Sequence, residues 1–172
     1  MDGYLLDTCA ISALLDAQHP SHAAVRAAVE AIEQGAPRYV SCITVAEIRF
    51  GARVDEASTG KTSPRTAQIL KNLQVYPVLE VTRHTAGEYG ELRTNIALTY
   101  LAGYLRANRP RWIENWKDRV TGERLQIDEN DVWICAQARE RNLVLITTDK
   151  KMVNVILKAD PAVRFELVIT ER

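Results

Sequence analysis

The sequence predicts an α/β protein of three layers, with helices on both faces of a central parallel sheet. Short apolar runs alternate with stretches of helical periodicity along the whole chain. The runs do not alternate between apolar and polar residues, as expected for strands that are buried on both faces. Strands and helices in this order favour a parallel sheet covered by its crossover helices.

Each predicted strand is a short apolar run next to turn or cap residues. Residues 4–6 end directly on Asp7, and residues 143–146 form an uninterrupted aliphatic run. Runs of this length suit strands better than helices, which need about ten residues or more. The predicted strands are residues 4–6, 39–41, 78–81, 143–146 and 165–169.

Helical spacing of apolar residues fills the intervals between these strands. Thr44 and Glu47 stand three positions apart, as in a capping box, and predict that a helix begins at Thr44. Asp128 and Asp131 repeat that pattern before a later helix. The predicted helices cover residues 11–15, 21–34, 65–73, 85–107, 129–141 and 150–157, with a further one from 44 up to a polar loop at 55–64.

Length and composition indicate a single domain over residues 1–172. A chain of 172 residues, 47% of them hydrophobic, can bury one core and leaves little room for a second. The 22 basic and 22 acidic residues give zero net charge, which disfavours a uniformly basic nucleic-acid binder but allows local segregation of charge.

The sequence also argues against secretion, membrane insertion and thiolate metal sites. Cys9, Cys42 and Cys135 include no Cys-x-x-Cys pair, so neither a disulfide framework nor a thiolate zinc site is indicated. We find no signal peptide and no apolar run near the roughly 18 residues that span a bilayer. We therefore expect a cytoplasmic protein without a membrane partner.

Four acidic residues stand where a site in an open α/β sheet is expected, beyond the carboxyl ends of the strands. Asp7 follows the first predicted strand and Asp149 follows the fourth. Glu47 and Asp131 lie in the first turns of helices that adjoin the sheet. We therefore expect the four carboxylates to converge at one edge.

Each of these acids also has a purely structural interpretation. Asp7 and Asp149 are suitable helix N-caps, and Glu47 and Asp131 fit capping boxes. As a group, however, they would repel, since like charges about 4 Å apart cost on the order of 4 kcal/mol at an effective dielectric constant of 20. A divalent cation would remove that cost. Because no His or Cys accompanies the cluster, its hard oxygens favour Mg²⁺, with Mn²⁺ as a substitute, and phosphate chemistry.

A polar segment at residues 100–124 interleaves basic and aromatic side chains. Six basic residues less three acidic ones give it a local charge of plus three. Aromatic rings stack on unpaired bases while Arg and Lys hold phosphates, so the segment fits RNA, and a dimer or packing face is the alternative. Trp112 and Trp116, four positions apart, would share one helical face. The candidate RNA-binding residues are Arg109, Arg111, Trp112 and Trp116, together with Arg49, Arg53 and Lys150 near the acids.

Other catalytic chemistries find little support in the sequence. His19 and His22 stand in a turn and His84 before a helix, so no histidine pair follows a strand end as an imidazole acid–base pair would. No nucleophile elbow or Gly-rich phosphate loop occurs. An aspartyl nucleophile would want a second acid two residues after Asp7, and that position is Cys9.

Four segments, taken in order, resemble the motifs of PIN domains. Residues 5–8, 44–51, 131–138 and 144–149 read LLDT, TVAEIRFG, DVWICAQA and VLITTD. Their order, spacing and flanking residues fit that family, and they span most of the chain. The compact format is similar to that of the VapC toxins of type II toxin–antitoxin systems. Cys9 stands where the family most often has Asn, and it otherwise fits a small, semi-buried position.

The resemblance implies a three-layer fold and Mg²⁺-dependent endonucleolytic cleavage of RNA, in which metal-activated water displaces the 3′ oxygen. Asp7 and Asp131 would be metal ligands, and Glu47 and Asp149 would complete the metal site or orient water. The hydroxyl groups that support these acids by hydrogen bonds would be those of Thr8 and Thr147.

The resemblance further implies homodimers and inhibition by a small cognate antitoxin of the VapB kind. Two alternatives stay open. One is a PIN nuclease of ordinary RNA maturation, with the same chemistry and different regulation. The other is a catalytically inert module of the same fold that binds RNA or protein, against which the presence of all four acids argues.

Overall fold

A five-stranded parallel sheet lies at the centre of the protein. The structure is a computed structural model that describes residues 2–101 and 109–169. The strands are β1 (Tyr4–Leu6), β2 (Arg38–Ser41), β3 (Val78–Leu79), β4 (Val144–Thr147) and β5 (Arg164–Leu167). They lie in the order β3-β2-β1-β4-β5, and each neighbouring pair is parallel. The predicted parallel α/β sheet is confirmed.

Seven α-helices and one 3₁₀ turn connect the strands in the described ranges. Part of the basic segment predicted at 100–124, and the end predicted for the helix at 85–107, fall in residues 102–108, outside the described residues. Each described helix is too short or too polar to cross a bilayer. The helices are α1 (Thr8–Leu15), α2 (His22–Ala31), α3 (Cys42–Thr59), α4 (Pro64–Leu73), α5 (Arg83–Tyr100), α6 (Glu129–Glu140) and α7 (Lys150–Ala159), and the 3₁₀ turn is Ile113–Asn115.

The sheet is buried on both faces, as its uninterrupted apolar strands predict. Leu5 and Leu145 pack on one side with α5, α6 and α7. Leu6 and Ile146 pack on the other side with α1, α2 and α4. Because successive strand residues point to opposite faces, each central strand contributes to both cores. The result is the predicted three-layer α/β/α arrangement.

Helix α3 begins earlier and ends later than the sequence predicts. Ser41, the last residue of β2, caps the helix by accepting a hydrogen bond from the Ile43 amide at 3.0 Å. The predicted capping box is therefore wrong, because Thr44 is buried inside the helix and Glu47 lies beyond its first turn. The helix continues through part of the predicted polar loop and ends at Gly60, whose φ of 76° is one that glycine readily adopts.

The two tryptophans of the basic segment do not share a helical face, contrary to the prediction. The 3₁₀ turn Ile113–Asn115 lies between them. Trp116 is fully buried and its Nε1 donates to the Pro110 carbonyl at 2.9 Å, whereas 54% of Trp112 is exposed. Pro110 lacks an amide hydrogen and so disfavours a longer helix here. One ring belongs to the core and the other to the surface.

We predict that truncating these two rings will have very different effects on stability. Trp116→Ala removes a fully buried indole and should lower the free energy of unfolding by about 3–5 kcal/mol. Trp112→Ala should change it by no more than about 0.5 kcal/mol, as is usual at exposed positions. Urea denaturation of both variants measures the difference, and equal losses would contradict the assignment of one ring to the core.

Candidate metal centre at the carboxyl edge of the sheet

Asp7 occupies the middle of the carboxyl edge, directly after the central strand β1. It is buried, and its Oδ1 caps α1 by accepting the Thr8 amide at 2.7 Å. Its Oδ2 accepts the Thr147 hydroxyl at 2.8 Å and the Cys9 thiol at 3.0 Å. Three donors, from α1 and from the end of β4, thus hold this carboxylate in one orientation.

Cys9 contacts the acidic site from the position where PIN domains most often have Asn. Its Sγ lies 3.2 Å from the Thr147 hydroxyl and accepts the Thr148 amide at 3.3 Å. Burial and the charge of Asp7 raise the pKa of the thiol to about 11, so it stays protonated at neutral pH and can donate. Cys9 is partly buried, as the sequence predicts. Its hydrogen bond to Asp7 was not predicted.

Glu47 enters the site from the second turn of α3 and accepts two side-chain hydrogen bonds. The Thr8 hydroxyl donates to its Oε2 at 2.5 Å, and the Asn130 amide donates to its Oε1 at 2.8 Å. The Thr8 hydroxyl also lies 3.0 Å from that of Thr44. Because both oxygens of Glu47 have donors, this carboxylate connects α1, α3 and α6.

Asp131 lies in the first turn of α6, in the capping box that the sequence predicts. Asp128 Oδ1 accepts the Asp131 amide, and Asp131 Oδ2 accepts the Asp128 amide, both at 2.9 Å. Its other oxygen, Oδ1, has no donor within residues 2–101 and 109–169. This oxygen is available to a ligand.

Asp149 caps α7, again as the sequence predicts. Its Oδ1 accepts the amides of Lys151 and Met152 at 2.8 and 3.0 Å, and its own amide donates to the Thr147 hydroxyl at 3.0 Å. The second oxygen, Oδ2, has no donor among the described side chains and amides. The Thr147 hydroxyl therefore stands between Asp7 and the backbone of Asp149.

Asp131 lies within electrostatic range of Asp7 and Asp149, and Asp7 lies within electrostatic range of Glu47. Burial raises the pKa of Asp131 to about 8, with further contributions from the charges of Asp128, Asp7 and Asp149. Burial also raises the pKa of Asp7, to which the charge of Glu47 adds. No Lys or Arg in the described part of the chain forms an ion pair with any of the four. The structure thus brings the four predicted acids to one edge of the sheet, where no described Lys or Arg side chain neutralises their charge by an ion pair.

The donors at this edge suit a hard divalent cation. They are carboxylate oxygens, which Mg²⁺ and Mn²⁺ prefer. The oxygens on Asp131 and Asp149 that lack a donor are free to bind one. In the described ranges, no group of three or more His, Cys, Asp or Glu side chains is placed so that it could hold a metal ion. The residues at this edge therefore fit such an ion by their chemistry and charge, and not by a preformed set of ligands.

A groove of about 330 Å³ between α1, α3 and α4 opens beside this edge. Thr8 and Glu47 line its inner end, and Asp16 and His19 line another part of its wall. His19 is engaged locally, because its Nδ1 accepts the Ser21 amide at 3.1 Å. The groove gives an extended substrate room next to Glu47.

The candidate RNA-binding residues Arg49, Arg53 and Lys150 are all exposed. Arg49 and Arg53 line a second groove of about 550 Å³ between α3 and α4, where Arg53 pairs with Glu56 at 2.9 Å. Lys150 is the first residue of α7, directly after Asp149. Of these three residues, Lys150 is therefore the one that directly follows an acid of the site in sequence.

The remaining candidate RNA-binding residues lie beyond α5. Arg109 and Arg111 are exposed, and Arg111 stacks over the Trp112 ring at 4.8 Å from its centroid. Trp116 is wrong as a base-stacking residue, because its ring is fully buried. The ring affects the surface indirectly, because the guanidinium of the exposed Arg109 lies over it at 5.8 Å from its centroid.

Two residues that the sequence did not single out take part in this framework. Asn130 precedes Asp131 and donates to Glu47, and its place in the first turn of α6 was the available signal. Arg93 donates to Glu129 Oε1 at 2.6 Å, and Glu129 is the first residue of α6. No local pattern marks Arg93, because its partner is 36 positions away.

One protein-family model, described as PIN domain, matches residues 4–156. The matched range includes all four acids. None of the curated proteins compared with the chain matches it.

Several solved structures are similar over nearly the whole chain. One is VapBC2 from Rickettsia felis bound to a DNA fragment from their promoter, at 19% identity and a TM-score of 0.62, covering 95% of this chain and 97% of that one. Another is VapBC-5 from Mycobacterium tuberculosis, at 24% identity and a TM-score of 0.56, covering 98% and 99%. A third is FitAcB from Neisseria gonorrhoeae, at 22% identity and a TM-score of 0.59, covering 94% and 95%. At these identities the likeness establishes the fold.

We predict that the metal-free protein loses stability as pH rises from about 4 towards 8. The pKa of Asp131 is about 8 in the folded protein and 3.8 as its ordinary value, so over this interval the unfolded chain releases a proton that the folded chain keeps. The free energy of unfolding should therefore fall with pH, by at most about 1.4 kcal/mol per unit for one proton. Urea denaturation across this range measures the slope.

Asp131→Asn is the control for this pH dependence. The variant keeps an oxygen for the Asp128 amide and lacks the titrating group, so its slope should be shallower than that of the wild-type protein. Mg²⁺ should also flatten the wild-type slope, because binding favours the ionised carboxylates. Identical slopes in variant and wild type would show that Asp131 does not titrate as described.

Proposed function

The chain belongs to the PIN domain family, and on that premise we propose that it is a Mg²⁺-dependent endoribonuclease, the toxin of a type II toxin–antitoxin pair. The observation that carries the proposal is the convergence of the four acids at one edge of the sheet, where no Lys or Arg of the described residues forms an ion pair with any of them. A cluster of that charge persists when a divalent ion neutralises it. Hard-oxygen sites of this kind most often serve phosphate chemistry.

In the proposed site, Asp131 Oδ1 and Asp149 Oδ2 are the best ligands, because neither has a described donor. Asp7 Oδ1, whose one hydrogen-bond donor within residues 2–101 and 109–169 is the Thr8 amide, completes the set. When bound, Mg²⁺ would polarise a phosphoryl oxygen and lower the pKa of water. This assignment keeps Asp7 and Asp131 as expected ligands, and of the two roles expected for Asp149 it chooses the metal ligand.

Glu47 has a different role in the proposed site. Thr8 and Asn130 donate to its two oxygens, which holds the carboxylate in place but leaves each oxygen able to accept a second hydrogen bond. We assign Glu47 to orient the attacking water. Thr147 and Cys9 position Asp7 in the same way, each through one hydrogen bond.

The proposed partners are a cognate antitoxin of the VapB kind and a second copy of the chain. Support comes from the whole-chain likeness to VapBC structures and from apolar surface on α3. Phe50 and Val54, one turn apart, are 72% and 48% exposed. Exposed apolar residues beside the second groove suit a protein partner.

A PIN nuclease of RNA maturation is the second candidate. It would use the same acids and the same ion, and would differ in lacking an inhibitory partner. The inert binding module is disfavoured, because all four acids are present and two of their carboxylate oxygens accept no hydrogen bond from the described residues.

We predict that Asp149→Asn and Asp7→Asn each reduce Mg²⁺-dependent cleavage of single-stranded RNA by about 100-fold or more. Loss of a residue that hydrogen-bonds to a metal ligand typically lowers metal affinity or activity 10–100-fold, and loss of a ligand itself should lower it at least as much. Asp149→Asn is the sharper variant, because its remaining oxygen can still cap α7. Initial cleavage rates, with and without EDTA, measure the effect.

Asp2→Asn is the matched control, because Asp2 precedes β1 at the opposite edge of the sheet and pairs with Arg164 at 2.9 Å. Its cleavage rate should equal that of the wild-type protein. Full activity in Asp149→Asn, or full activity in EDTA, would remove the proposed chemistry.

We predict that induced expression of the chain arrests bacterial growth, and that Asp149→Asn relieves the arrest. Co-expression of a short neighbouring reading frame that encodes a DNA-binding protein should restore growth. Growth curves after induction measure both effects. Unimpeded growth, alongside RNA cleavage in vitro, would favour the maturation nuclease over the toxin.

A further inference from the structure

A cleft lined by arginines opens between α5 and the segment that follows the undescribed residues 102–108. Its volume is about 480 Å³. The residues that line this arginine cleft are Gly90, Arg93, Thr94, Arg109 and Arg111.

The arginine cleft carries excess positive charge. Arg93 pairs with Glu129 through Nη1 at 2.6 Å. Arg109 and Arg111 are exposed, and neither pairs with a carboxylate within residues 2–101 and 109–169. Three guanidinium groups less the carboxylates of Glu129 and of Glu114, which accepts the Glu129 amide at 3.4 Å, leave a local charge of plus one. Exposed guanidinium groups without carboxylate partners suit an anion that can accept two hydrogen bonds from one guanidinium, such as phosphate.

The arginines are held in place by aromatic rings and backbone rather than dispersed over the surface. Arg93 Nη2 donates to the Arg111 carbonyl at 2.9 Å, and the Arg93 guanidinium lies 5.5 Å from the centroid of Trp116. Arg109 lies over the same buried ring, and Arg111 over the Trp112 ring. Stacking occupies the faces of a guanidinium and leaves its N–H edges free to donate.

The arginine cleft and the acidic site meet at the first turn of α6. Glu129 binds Arg93, the next residue Asn130 binds Glu47, and Asp131 follows. A polyanion that lies in the cleft would therefore be close to the carboxylates, because neighbouring residues of one helical turn contact both places.

We propose that the arginine cleft binds the backbone phosphates of single-stranded RNA that extends from the acidic site, with Trp112 offering its exposed ring to an unpaired base. This inference rests on the proposed function, because it assigns the cleft to the same substrate. Single-stranded RNA is the occupant because the cleft pairs cations with a half-exposed indole, and indoles stack on unpaired bases.

Gly90 allows a test within the arginine cleft itself. A Cβ at Gly90 meets no atom of residues 2–101 and 109–169 within 4 Å beyond the backbone of its own helix, so a side chain there enters open space in the described part of the chain. Gly90→Glu would place a carboxylate among the three arginines, and Gly90→Gln is the uncharged control of nearly equal shape. Both exchanges also replace glycine within a helix by a better helix former.

We predict that Gly90→Glu binds RNA about 10-fold or more weakly than Gly90→Gln, and that the double variant Arg109→Gln/Arg111→Gln binds it about 10-fold or more weakly than the wild-type protein. The probe is a fluorescein-labelled twelve-nucleotide oligouridine, followed by anisotropy in EDTA so that cleavage does not interfere. The double variant should also lower the slope of log affinity against log salt by about 0.7 for each lost phosphate contact. Trp112→Ala should weaken binding and leave that slope unchanged.

Equal binding by Gly90→Glu and Gly90→Gln would overturn the proposal. So would equal loss of affinity for a duplex DNA of the same length, since the cleft would then bind any polyanion. In Mg²⁺ the cleft variants should raise KM for a long RNA and keep kcat. If wild-type protein cleaves no RNA while the cleft variants still lose binding, the proposed function fails and the RNA-binding cleft stands.

Discussion

Mutual repulsion among four carboxylates is the constraint on which the arrangement of the carboxyl edge depends. Three of them offset it with helix N-termini, where amide groups and the helix dipole favour negative charge. Asp7 caps α1, Asp149 caps α7, and Asp131 closes the capping box of α6. At Asp131 and Asp149 the capping and catalytic interpretations are therefore compatible, because one carboxylate oxygen takes part in the cap while the other accepts no hydrogen bond from the described residues.

Glu47 meets the same constraint by another route. It lies past the amides of the first turn of α3, and side chains from two other helices satisfy its oxygens instead. Thr8 and Asn130 thereby connect it to the elements that carry Asp7 and Asp131. Burial is the main cause of the raised pKa of Asp131 and of Asp7, and the charges of neighbouring acids add to it. In the proposed function, a divalent cation would relieve the remaining repulsion.

Charge segregation reconciles a net charge of zero with the proposed nucleic-acid substrate. The acids gather at the sheet edge, and Arg93, Arg109 and Arg111 line a cleft beside the first turn of α6. Composition alone disfavoured a nucleic-acid binder because it averages these surfaces. The exposed residues Phe50 and Val54 on α3 form a third surface, which is apolar, whereas the acidic edge and the arginine cleft are charged.

The sequence by itself determined the parallel α/β sheet, the order of its elements and the four acidic positions. Those features depend on hydrophobic periodicity and on hydrogen bonds between residues a few positions apart, as in the caps at Asp7, Asp131 and Asp149. The start of α3 was mispredicted even though its signals are local, because Ser41 and Thr44 both suit a cap and the strand end selects Ser41.

The resemblance named Thr8 and Thr147 as donors, and only the tertiary structure decided which acid each one contacts and that Asn130 joins them. The hydrogen bonds from Thr8 and Asn130 to Glu47 and from Thr147 to Asp7 join residues 39, 83 and 140 positions apart. The burial of Trp116 and the grouping of arginines around it are likewise set by packing between distant segments. Such contacts depend on strand order and helix packing, which short-range patterns in a single sequence do not specify.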